Sequence, residues 1–160
     1  MSHEVVAALI IQSKMILLGL RSSKRRFYPN VWDVFGGHVE PGEHPHKTLV
    51  RELQEELGIT PNEWTCEETI EASLSEGEGA PPGKLTLHLY LVTAWSGTPA
   101  NLQPHEHDSI QWFSLDQAVK LNLAHPAYAQ LFVEHLSQES ESRPGPEPRP
   151  GAEAGETRPG

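Results

Sequence analysis

A chain of 160 residues suffices for one ordinary domain with a single core and is short for two. Its net charge of −10 and pI near 5.3 oppose non-specific binding to a nucleic-acid polymer or a membrane surface, both anionic, so an anionic small molecule would need bound cations or a local basic patch. Cys66 is the only cysteine, which excludes an intrachain disulfide and a four-cysteine zinc site and fits a reducing, cytoplasmic compartment.

The opening "MSHEVVAALIIQSKMILLGLR" is apolar but interrupted at Gln12, Ser13 and Lys14, with no cationic run ahead of it. It therefore predicts neither a secretory signal nor a membrane span, which takes about 20 apolar residues. "VVAALIIQ" and "MILLGL" read as a buried hairpin turning at Ser13 and Lys14. The loop "RSSKRRFYPN" follows, and its Arg21, Lys24, Arg25 and Arg26 form the dense basic cluster of an acidic chain. Such a cluster is either solvated or holds an anion.

"VWDVFGG" reads as a short strand ending at Gly36 and Gly37. Pro45 suits a first helical position and Gly58 the residue past a helix end, which predicts a helix of about 13 residues. Leu49, Val50, Leu53 and Leu57 fall within an arc of about 100° and face the core. Glu52, Glu55 and Glu56 crowd another arc. Like charges at that spacing repel by a few tenths of a kcal/mol per pair, so the face is either solvated or turned toward a cation.

"EWTCEETIEASL" predicts a strand, "SEGEGAPPGK" a loop, and "LTLHLYLVTAW" a second long strand. In the latter, Leu85, Leu87, Leu89 and Leu91 alternate with Thr86, His88 and Tyr90, placing one face on the core and the other on a cleft or water. The polar stretch "SGTPANLQPHEHD" leads to the short strand "SIQWF". "SLDQAVKLN" carries a cap at Ser114, and "PAYAQLFVEHL" spaces Ala127, Leu131, Phe132 and Leu136 as a helix does. The expected domain covers 1–136. Residues 137–160, rich in proline and glycine, read as a disordered tail. Within it "PGPEPRP" suits polyproline II, as a dock for an aromatic groove or as a passive solubilising segment.

Residues 37–59 read "GHVEPGEHPHKTLVRELQEELGI". Gly37 is followed by Glu43, then by Arg51 and Glu52, then by Glu55, Glu56 and Gly58, with Leu53 and Ile59 apolar. At these positions the chain resembles the Nudix hydrolase family, whose signature is G-x5-E-x7-R-E-U-x-E-E-x-G-U with U apolar. Seven fixed residues at fixed offsets arise by chance at roughly one starting position in a billion, so the match is specific.

The resemblance implies an α/β Nudix fold, a central mixed sheet between helices, and a Mg²⁺-dependent pyrophosphohydrolase (Mn²⁺ being the alternative ion) acting on a small nucleotide. Mg²⁺ is a hard ion that takes oxygen ligands, so carboxylates on adjacent helical turns suit it. The family pattern makes Glu52, Glu55 and Glu56 metal ligands, with Glu52 a general-base candidate, Gly37 lending its carbonyl, and Arg51 with Glu43 an orienting pair. Glu106, from the loop before the last strand, would complete the site, with Asp108 as second choice. His105 and His107 raise a zinc alternative, since His-x-His can put two imidazoles on one strand face. Arg21, Lys24, Arg25 and Arg26 would hold phosphates, and His38 would touch one. Phe27, Tyr28, Trp32 or Phe35 would wall the base. His44 and His46 read as first-turn surface. Phe35 stands where many MutT-type members carry proline, and Asn122 and His125 are shifted from the base-reading asparagine of those members. Specificity for oxidised guanine is therefore not implied.

Overall fold

The structure, a computed structural model, describes residues 2–74 and 83–142. The loop expected at 75–82 and the tail from 143 lie outside the described residues. In chain order the elements are β1 (Ser2–Gln12), β2 (Met15–Arg21), β3 (Trp32–Asp33), β4 (Phe35–His38), α1 (Pro45–Leu57), β5 (Thr60–Leu74), β6 (Gly83–Ser96), β7 (His107–Ser114), α2 (Leu115–Ala118) and α3 (Ala127–Ser142). Among the described residues the seven strands form one mixed sheet along β3-β2-β1-β6-β5, with β4 also on β1 and β7 also on β2. Among the described strands β1 and β6 pair in parallel and the other pairings are antiparallel.

Sterics at the first turn explain the hairpin. Ser13 and Lys14 adopt φ of 54° and 64°, the left-handed pair that a two-residue turn between twisted strands requires. The two strands stay paired only at Ile11↔Ile16 and Gln12↔Met15. Beyond that β1 runs between β4 and β6, while β2 runs between β3 and β7.

Burial on both faces accounts for the unbroken apolar run of β1. Val6, Ala8 and Ile10 pack in one cluster with Leu49, Leu53 and Leu57 of α1, while Ala7, Leu9 and Ile11 join Leu131, Phe132 and Leu136 of α3 in the other. Helices thus cover both faces of the sheet, as expected. Removing a leucine-sized side chain from water contributes about 1.5–3 kcal/mol, so these two layers dominate the stability.

Four sequence expectations need correction. "VWDVFGG" is two strands. The Val34 N–H donates to Asp33 Oδ1 at 2.8 Å, and the chain steps from the edge of β2 to the edge of β1, with both glycines inside β4. On β6 the supposed polar face is polar only in part, because Tyr90 is buried in the α1 layer alongside Val92. His88 does stay polar, with its Nε2 at 2.7 Å from Glu4 Oε2. The last strand starts at His107, earlier than "SIQWF". Finally, α3 runs on to Ser142, through the first residues assigned to the tail. The predicted helix at α1 is observed with its bounds intact, closed by Gly58 at φ 72°. Among the described residues no helix is long and apolar enough to cross a membrane.

Candidate active site

Helix geometry sorts the acidic residues of α1. Leu49, Leu53 and Leu57 recur every four positions and are fully buried, which fixes the rotation of the helix. Glu52 and Glu56, also four apart, then face β4 and line a cleft of about 590 Å³, whereas Glu55 turns outward with its side chain 53 % exposed. The expected trio of glutamates is thus a pair in the cleft and one at its rim. Glu55 Oε1 stands 3.5 Å from Arg51 NH1.

Arg51 organises this corner. Its Nε and NH2 donate to Glu43 Oε2 and Oε1, both at 2.9 Å, while NH1 donates to Glu52 Oε2 at 3.0 Å and NH2 to the His38 carbonyl at 3.1 Å. Glu43 also accepts from the Thr48 hydroxyl at 2.6 Å and the Glu40 N–H at 3.0 Å. Those donors, the Arg51 guanidinium first, hold the Glu43 carboxyl down at about 2. The expected Arg51–Glu43 pair is therefore formed, and it fixes one oxygen of Glu52.

Glu56 is 8 % exposed and accepts from the Gly36 N–H at 3.2 Å. Burial, then the neighbouring charge of Glu52 and further that of Glu106, pushes its carboxyl up to about 9. Burial also raises Glu52, against the pull of Arg51. Glu106, expected to complete the site, does line the cleft, with its Oε1 3.7 Å from Arg25 NH1. Asp108 is exposed on β7 and does not line it. Glu52, Glu56 and Glu106 share one cleft, the first two held above their usual range, and form a donor set that a hard divalent cation would relieve.

Close packing explains the two glycines. A Cβ on Gly37 would lie 2.3 Å from the Glu52 carboxyl carbon, so glycine leaves that carboxylate its place over β4. Gly36 has φ +153°, and a Cβ there would meet the Val6 carbonyl oxygen at 2.0 Å.

The basic loop divides. Arg25 lines the cleft; Arg26 and Lys24 do not, and Arg26 lies over the Phe27 ring. Arg21 lines it but is committed elsewhere, donating to the Phe27 and Tyr28 carbonyls at 2.7 and 2.8 Å and to Asp33 Oδ2 at 3.1 Å. Those bonds make it a brace for the loop at the cleft wall. Phe35 is 1 % exposed, with its ring 5.2 Å from that of His107, so it supports the cleft from below instead of offering a face to a base. Phe27 and Tyr28 line the cleft and Trp32 packs against Phe113. His38, exposed at the end of β4, lines it too. The zinc alternative is not supported: His105 is exposed in the turn, while His107 is buried under the cleft and its ring is held down to about 4 by desolvation. His44 and His46 are exposed, with their rings stacked.

At the far end of the cleft His125, noted in the sequence as near the base-reading position, stands with Asp33 and Tyr128, two residues that sequence reading missed. Asp33 is raised by burial despite Arg21, and Tyr128 is raised well above its ordinary value by burial and by Asp33. An acid inside the apolar run "VWDVF" was the available signal for Asp33.

Residues 1–135 match the NUDIX domain. The chain is similar to the CTP pyrophosphohydrolase of Escherichia coli (strain K12), 37 % identical over 122 residues that cover 76 % of this chain and 82 % of that one. It is also similar to the 8-oxo-dGTP diphosphatase of the same organism, 37 % identical over 98 residues, 60 % and 70 % of the two chains. Among solved structures, the MutT NUDIX hydrolase from Burkholderia pseudomallei superposes with a TM-score of 0.71 at 28 % identity, over 84 % of this chain and 97 % of that one. With the box folded into one corner of the sheet and the match spanning the domain, the chain belongs to the Nudix hydrolase family, enzymes that cut phosphoanhydride bonds of nucleotide derivatives.

Proposed function

We propose that the chain is a Mg²⁺-dependent nucleotide pyrophosphohydrolase of the cytoplasm, which cuts a nucleoside triphosphate to a monophosphate and pyrophosphate. The observation that carries this is the convergence of Glu52, Glu56 and Glu106 in the cleft, with Glu56 pushed up to about 9 by burial and by the other two charges. Residues fit the ion: the donors are oxygens, and Gly37 leaves the Glu52 carboxylate room beside its own carbonyl. Mg²⁺, or Mn²⁺ in its place, would be held by Glu52, Glu56, Glu106, the Gly37 carbonyl and Glu55 from the rim, where it neutralises phosphate charge and acidifies a water.

The protein groups have separate tasks. Glu52, one oxygen tied to Arg51, accepts a proton from the attacking water with the other. Water oxygen then forms the new bond to phosphorus as the bridging oxygen leaves with pyrophosphate. Glu43 holds Arg51 and so fixes the angle of Glu52. Arg25 and His38 meet the outer phosphates, and the base extends past Phe27 and Tyr28 toward Asp33 and Tyr128. Similarity to the two Escherichia coli relatives, a CTP pyrophosphohydrolase and an 8-oxo-dGTP diphosphatase, supports this substrate class.

The test is a panel of nucleoside triphosphates, ADP-ribose, nucleotide sugars and dinucleoside polyphosphates with Mg²⁺, read by mass of the products. Monophosphate and pyrophosphate from a triphosphate are expected. Preference for ADP-ribose or a dinucleoside polyphosphate would move the substrate class, and no cleavage of any pyrophosphate would leave only a nucleotide-binding module. Glu55→Gln should lower turnover by about a hundredfold if the rim acid is a ligand.

A further inference from the structure

His135 of α3 is 5 % exposed, and among the described residues neither of its ring nitrogens has a hydrogen-bond partner. Buried imidazole nitrogens ordinarily find one, so this pair calls for a ligand or a charge. Both face acids of β5: Nδ1 is 3.6 Å from Glu67 Oε1, and Nε2 is 3.6 Å from Glu68 Oε2. Successive side chains of a regular strand point to opposite faces. Here the pairing slips between Cys66↔Tyr90 and Glu68↔Leu89, and this bulge brings Glu67 and Glu68 to the same ring. A carboxylate oxygen of Glu134, one residue before His135, joins the group, and the ligand atoms of Glu68, Glu134 and His135 lie within 4.8 Å of one another.

We propose that Glu68, Glu134 and His135 form a second divalent-metal site of the zinc class, separate from the Nudix box, that fastens α3 to the sheet edge. Two ligands at about 2.0–2.2 Å from a tetrahedral ion stand about 3.4 Å apart, close to the 3.6 Å between His135 Nε2 and Glu68 Oε2. One nitrogen with two carboxylate oxygens favours a borderline ion over Mg²⁺, which takes oxygens. Glu67 Oε1, 3.6 Å from Nδ1, puts a negative charge on that side of the ring, and Nε2 on the other side faces Glu68 as the ligating atom. None of the four residues lines the cleft. His135 lies two helical turns, about 10 Å, beyond Tyr128 at the cleft wall.

The full chain, stripped with chelator and supplied with excess Mg²⁺ to occupy the box, is titrated with Co²⁺ and then Zn²⁺. The Glu52→Gln/Glu56→Gln double variant is run alongside, so that the box cannot account for uptake. The expected result is one Co²⁺ per chain in both proteins, with the strong visible band of a tetrahedral site, displaced by Zn²⁺ and accompanied by a higher melting temperature. Glu134→Gln, at an exposed position, should weaken Zn²⁺ by about tenfold or more while the fold stays intact, and His135→Gln should abolish uptake. The proposal is overturned if wild-type protein takes up no Co²⁺ or Zn²⁺ at micromolar concentration, or if Glu134→Gln binds as well as wild type. It is equally overturned if nitrogen NMR shows His135 as an imidazolium bridging Glu67 and Glu68 in zinc-containing buffer. Loss of nucleotide hydrolysis in the double variant bears on the box alone, so the two readings fail separately.

Discussion

Gly36 and Gly37 are neighbours with different jobs, and single methyl groups separate them. A Cβ on Gly37 meets the movable end of Glu52, so Gly37→Ala should fold with near wild-type melting yet lose at least about tenfold in kcat as the carboxylate is pushed off its place. Gly36→Ala meets the fixed Val6 carbonyl from a left-handed φ, and should cost about 3 kcal/mol or more in denaturant unfolding. Glu43 offers a pH test. Its folded pKa of about 2 lies below the unfolded value near 4.3, so the Arg51 pair adds stability above that value. The contribution is lost as pH falls toward about 2. The stability gap between wild type and Glu43→Gln should close over that window, and a gap independent of pH would show the pair to be idle. At this scale the sequence was readable where partners are near in the chain, as with Glu43, Arg51 and Glu52. It was not readable for Arg21, whose charge is consumed by Asp33 and two carbonyls across a loop.

Elements set which residues can cooperate. Because Leu53 and Glu52 are adjacent on α1, core packing and site geometry share one helix rotation. Leu53→Ala should cost about 2–5 kcal/mol and also lower turnover, a coupling visible when melting and kinetics are measured on the same variant. On the other side of the sheet, Ser114 and Gln117 complete a capping box on the short α2, and Ser114→Ala should cost about 1 kcal/mol without touching kcat. Both helices were legible because caps, proline and glycine act locally. Tyr90 was not: alternation along β6 put it on the face toward a cleft or water, and only the stacking of α1 above the sheet buries it. The same holds for His135, whose acids lie on β5, far along the chain.

For the molecule as a whole, family and box were legible from a run of 23 residues, 37–59, because its spacing needs no tertiary information. The end of the cleft at Asp33, His125 and Tyr128 depends on how α3 returns over β2 and β3, which no local pattern encodes. Since α3 extends to Ser142, a truncation should begin after it; removing 143–160 is expected to leave kcat/KM within about twofold. The short zip between β1 and β2, held only at Ile11↔Ile16 and Gln12↔Met15, has a mechanical meaning. Past that point the two strands belong to different ribbons, and the jaws they carry are unlike: Gly37 and Glu52 stand over β1, whereas Arg25 and Glu106 belong to the β2 and β7 side. A nucleotide lodged between them would span the two ribbons where their backbones no longer pair.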